Sequence, residues 1–120
     1  MIAIIYEDNH PIIVNKKATE LVQGDITGDV PLLEKVRHYL KQRYNKPGNV
    51  FVGLPHRLDR PTSGVVVFAK TSKALSRMNA IFRSREVQKT YWAVVKNKPK
   101  EDDTVLVNYL KKSGEKIGRA

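Results

Sequence analysis

Residues 65 to 69, Val-Val-Val-Phe-Ala, form an uninterrupted apolar run of strand length, entered through Pro61-Thr62-Ser63-Gly64. A run with no polar alternation predicts a central strand buried on both faces, which requires neighbouring strands and covering helices. The flanking segments supply both. Short β-branched runs over residues 2 to 6 and 12 to 14, split by Glu7-Asp8-Asn9-His10-Pro11, predict a hairpin. Leu32, Leu33, Val36, Tyr39, Leu40 and Tyr44 recur at helical spacing after Asp29, a candidate cap, and Pro31, tolerated in a first turn; Pro47-Gly48 would stop that helix. Thr71 or Ser72 opens a second helix with Ala74, Leu75, Met78, Ile81 and Phe82 on one face.

Residues 90 to 95 read as a further strand and 104 to 107 as another, with 96 to 103 a charged turn region. The expected fold is α+β, a mixed α/β layer in which helices pack on an antiparallel or mixed sheet. At 120 residues, one domain spanning 1–120 with one core is expected.

Lysine and arginine total 22 against 12 acidic residues, a formal charge of +10 that attracts polyanions and makes nucleic acid the leading partner. The same charge also serves a solvated, lysine-rich end of the chain. With no cysteine, disulfides, thiolate nucleophiles and cysteine-based zinc sites are excluded, and a cytoplasmic setting is expected. His10, His38 and His56 show no ligand spacing, so no metal is expected. The apolar start, Met1 to Ile5, is cut off by Glu7-Asp8 and reads as a strand, not as a leader or a membrane span. Tyr39 and Tyr44, beside leucines at helical spacing, read as core or boundary residues. Arg77, Arg83 and Arg85 read as phosphate contacts or as a solvated face.

Between the first helix and the apolar strand stands His56-Arg57-Leu58-Asp59-Arg60-Pro61-Thr62-Ser63-Gly64. Asp59 is a loop carboxylate between two arginines, a sequence context that favours its ionised form. A lone aspartate of this kind more often caps a turn or joins a solvated ion pair. The whole string, however, resembles the signature of the RluA-type pseudouridine synthases: HRLD, two variable positions, TSG, then apolar residues ending in alanine. All of those positions match from His56 through Ala69. The opening hairpin, with Ile12-Ile13-Val14-Asn15-Lys16, and the later Lys89-Thr90-Tyr91-Trp92-Ala93-Val94-Val95 resemble further parts of the family's sequence.

The resemblance implies isomerisation of uridine to pseudouridine in ribosomal or transfer RNA, without a cofactor. Asp59 would be the catalytic carboxylate, attacking the ribose anomeric carbon or removing a ribose proton on the way to a glycal. Either route needs an ionised carboxylate near the sugar, and the target base must leave its stack at a cost of a few kcal/mol. Arg57 matches the arginine that displaces or replaces the target base, although it would serve equally as a phosphate or Asp59 partner. Tyr91 matches the active-site tyrosine that stacks on uracil, although taken alone it reads as a core strand residue. Thr62, Ser63 and Gly64 are expected to shape the turn.

Two departures stand out. Lys17 occupies the position where the family usually has proline after Lys16. The later Gly-Arg, His-Gln, Ile-Arg type motif is also missing, and Gly118-Arg119-Ala120 resembles only its start. The chain is therefore expected to be the N-terminal portion of a catalytic domain, with unpaired sheet edges that favour self-association. No S4-type RNA-binding domain precedes the hairpin, so target choice would fall to the domain's own surface. The competing readings are a small basic RNA-binding module without catalysis and an interaction fragment without an RNA role.

Overall fold

A computed structural model describes residues 1–25, 27–114 and 116–119, the last four by their backbone. The chain divides into two compact units, Met1–Lys89 and Thr90–Ala120. The first unit carries β1 (Ala3–Glu7), β2 (Pro11–Lys16), α1 (Leu32–Arg43), β3 (Gly64–Ala69) and α2 (Ser72–Arg83). The second carries β4 (Leu110–Ser113) and β5 (Lys116–Arg119) as an antiparallel hairpin. The α+β class stands: an antiparallel sheet accompanied by two helices.

The predicted opening hairpin forms, with Ile4 opposite Val14 and Glu7 opposite Ile12 and a register shift between Ile4 and Tyr6. Its turn is an Asx turn: the Asp8 carboxylate accepts from the His10 amide at 2.7 Å and from the Tyr6 hydroxyl at 2.8 Å. β2 is the central strand, because the order is β1-β2-β3 and Ile13 pairs with Val67 on its other side.

The apolar run is thus not the centre of the described sheet. Val66 and Phe68 are fully buried, whereas Val65 is 54% exposed, so β3 alternates in spite of its uniform composition. Its outer edge is met by two short contacts. Gly53 and Ala69 exchange backbone bonds at 2.8 and 2.9 Å, and the Val67 amide donates to a side chain described below. Ile12, Val14, Val66 and Phe68 form the core with Leu32, Val36 and Leu40 of α1 and with Val22, Val50 and Val52 of the connecting segments.

Asp29 does not cap α1. Pro31 is the capping residue, and the Leu32 and Leu33 amides are satisfied by the carbonyls of Leu21 and Val22 at 2.7 and 3.0 Å. The helix ends before Pro47-Gly48, at Asn45 in the left-handed region (φ 48°). The Lys46 amide reaches back to Lys41 and the Asn45 amide to Gln42, which together make a Schellman motif. α2 is capped as predicted by Thr71, whose hydroxyl accepts from the Ala74 amide at 3.0 Å. It closes with the same motif around Arg85 (φ 61°), placing that arginine beyond the helix.

Among the described residues, 90–95 and 104–107 are not strands. Trp92 is 96% and Val94 104% exposed, so strand propensity there is not backed by burial. No helix among the described residues is long and apolar enough to cross a membrane.

Candidate active site

The turn Asp59–Thr62, which leads into β3, is held by the last residue of β2. Ile12, Val14 and Lys16 alternate onto the buried face of β2, so the strand period carries a lysine into a core position. Lys16 is 1% exposed, and an ammonium so placed must find acceptors. It finds three carbonyls: Lys17 at 3.1 Å, Arg60 at 2.9 Å and Thr62 at 2.5 Å. Two of the three belong to the turn Asp59–Thr62, which is itself closed by the Thr62 amide on the Asp59 carbonyl at 3.0 Å. Burial pushes the Lys16 ammonium below the ordinary lysine value. The negative charges of Glu20 and Asp59 oppose that shift, while Arg60 adds to it.

A second tie joins the turn to the segment after β2. The Arg60 carbonyl also accepts from the Thr19 amide at 2.8 Å, and the Arg60 Nε donates back to the Thr19 carbonyl at 2.9 Å. The Arg60 guanidinium then reaches Asp29 at 2.6 Å and Asp25 at 3.8 Å. Its charge holds both carboxyls below their ordinary range, behind the hydrogen bonds of Thr27 at Asp25 and alongside Thr27 at Asp29. The expectation that Arg60 serves Asp59 is therefore corrected: its guanidinium is turned toward Asp25 and Asp29. Arg57 is directed elsewhere as well, donating to Gln23 at 3.3 Å. The Asp59 charge is felt by Lys16, where it acts against the effect of burial.

Asp59 itself is exposed, and its carboxylate makes no hydrogen bond or ion pair among the described residues. The turn holds the backbone while leaving the acid open to solvent and to a ligand. Gly64 follows with φ +142°, a conformation that side chains resist, as its expected turn-shaping role requires. Tyr91 belongs to the second unit and is 61% exposed, in a segment without regular structure.

Sequence reasoning missed two residues. Lys16 was legible only as the third inward position of a period-2 strand. His56 opens the motif, yet its role is set by contact: its Nε2 accepts the Val67 amide at 3.0 Å, and its ring stacks on Phe82 of α2 at 4.8 Å and 19°. Elsewhere in the first unit, Lys70 pairs with Glu7 at 2.7 Å, and Tyr39 and Tyr44 donate to the same carboxylate. These bonds draw the Glu7 carboxyl below its usual value although burial opposes them. An open groove lined by Glu34, Arg37 and residues 49–52 contains no residue of the motif. No group of three metal-ligating side chains is found among the described residues.

The family model for RNA pseudouridylate synthase matches residues 10–119. The chain is 35% identical over 126 residues to a tRNA pseudouridine synthase C of Yersinia pestis, covering 100% of this chain and 46% of that protein. It is 33% identical over 120 residues to a ribosomal large subunit pseudouridine synthase C of Escherichia coli (strain K12), covering 97% and 36% respectively. The solved structure of human RNA Pseudouridylate Synthase Domain Containing 4 superposes with a TM-score of 0.59 at 24% identity, over 70% of this chain and 30% of that one, a likeness of fold. The chain thus spans less than half the length of these relatives. Matched along nearly its whole length by the family model, the chain belongs to the RNA pseudouridylate synthase family.

Proposed function

We propose that the protein isomerises uridine to pseudouridine in RNA, with Asp59 as the catalytic carboxylate and Arg57 and Tyr91 as substrate-binding residues. These residues would make up the N-terminal portion of its catalytic domain. The observation that carries this reading is the turn Asp59–Thr62, fixed from below by Lys16 while its carboxylate stays exposed. A rigid backbone presenting an open acid is what attack on an anomeric carbon or abstraction of a ribose proton needs. Arg57 is exposed and held by a single long bond to Gln23, so exchanging that partner for a base costs little. The relatives are named for both ribosomal and transfer RNA, which supports RNA as the substrate class and makes both RNAs the ones to assay.

The test is Asp59→Asn in the whole protein, assayed for pseudouridine in transfer and ribosomal RNA. The Asp59 carboxylate is exposed and makes no hydrogen bond or ion pair among the described residues, so the fold is expected to survive. Turnover falls by at least ~1,000-fold, as for loss of a nucleophile, while RNA affinity stays within a few-fold. Undiminished turnover, or a parent protein that binds RNA with no turnover, overturns the reading and leaves the non-catalytic binding module.

A further inference from the structure

We propose that His56 is a positioning residue for the Asp59 turn, acting as a neutral imidazole whose Nε2 accepts the outward-facing Val67 amide of β3. The inference rests on the assignment of Asp59 above. The motif loop leaves His56 and returns at Gly64 into β3, and the His56–Val67 bond closes it across 11 residues. Lys16 holds the turn on its β2 side, and His56 ties the start of the loop to the strand that ends it.

The geometry fixes the tautomer. An amide donates to Nε2 at 3.0 Å, so Nε2 carries no proton and the neutral ring bears its hydrogen on Nδ1. Adding a proton would set one N–H against another and break the bond. The surroundings also oppose the cation. From α2 the ring meets Phe82, from β3 a backbone amide, and beyond the helix Lys89, whose ammonium lies 5.5 Å from the Phe82 ring centre. On its own loop, Arg57 is turned to Gln23, and no carboxylate bonds to the imidazole among the described residues. Burial and the Lys89 charge hold the imidazole below its ordinary value. As pH falls through the ordinary histidine range the unfolded chain takes up this proton before the folded one, so stability declines from about pH 6.5 toward the folded-state value.

Two variants of the whole protein separate positioning from filling space. His56→Gln keeps an acceptor at the reach of Nε2 and cannot titrate. His56→Leu fills similar volume with no acceptor. In His56→Leu, kcat is expected to fall on the order of 100-fold with little change in KM, as misplacement of a reacting group produces. His56→Gln restores most of kcat and removes the acid limb above the carboxylate range. Nitrogen NMR of the parent protein should show protonated Nδ1 and bare Nε2. The exchange rate of the Thr62 amide, corrected for its intrinsic pH dependence, should rise in His56→Leu and in the parent protein on acidification, but not in His56→Gln.

A proton on Nε2 at neutral pH, or Thr62 exchange that ignores both acid and variant, overturns the proposal. Unchanged kcat in His56→Leu does so too. If His56→Leu fails to fold, the parent titration and His56→Gln still decide. The NMR and exchange readouts need no turnover, so failure of the Asp59 assignment is seen separately in Asp59→Asn.

Discussion

Lys16 shows how much one buried charge can organise. Its ammonium is hidden from water and replaces hydration with three carbonyls, two of them in the Asp59 turn. Lys16→Met keeps the length and apolar stem but takes its donor from the Thr62 carbonyl, while the Arg60 and Lys17 carbonyls keep the amides of Thr19 and Glu20, and is expected to destabilise by about 1–3 kcal/mol, read by chemical denaturation. A loss below about 0.5 kcal/mol would mean that the turn holds itself. Part of this was legible in advance. Ile12, Val14 and Lys16 alternate with exposed or half-exposed neighbours, which places the lysine inward. What it touches was not legible, because its partners stand 44 and 46 residues further along the chain. The same limit misassigned Arg60: adjacency to Asp59 is a fact of sequence, but Asp25 and Asp29 are its neighbours in space.

Elements were legible where local chemistry decides them. The hairpin over β1 and β2 follows from two β-branched runs around an Asx turn, and α2 begins where Thr71 accepts the Ala74 amide. Thr71→Ala is accordingly expected to cost about 1 kcal/mol, measured as a lowered denaturation midpoint with an unchanged slope. Asp29→Ala should leave the start of α1 intact, since Leu21 and Val22 supply its acceptors. The end of α1 was placed too late because Pro47-Gly48 is the stronger signal in sequence, whereas Asn45 already takes the left-handed conformation. Composition misled most over β3 and over 90–95. Apolar residues there satisfy strand propensity, yet Val65, Trp92 and Val94 face solvent, and whether a neighbour covers them is a tertiary matter.

At the scale of the molecule, 22 basic residues against 12 acidic ones set the terms of any encounter with RNA. In the proposed function, affinity should fall linearly with salt on logarithmic axes, with a slope near −0.7 to −0.9 for each phosphate neutralised. Asp59→Asn should leave that slope unchanged, because in that function the acid would address sugar and not phosphate; titrations of binding at several salt concentrations check this. A flat response would assign the charge to solubility. The Lys16 tie carries a further consequence, for the order in which the chain assembles. Its contacts span 44 and 46 residues, slightly less than the 48 to 58 spanned by the β2–β3 pairing from Lys16↔Gly64 to Pro11↔Ala69, so tie and sheet are closures of the same long range, and such distant closures are slow. The Asp59 turn is therefore expected to take shape together with the β2–β3 pairing, after the local hairpin and the helices, so that the loop and the strand it feeds are acquired in one event.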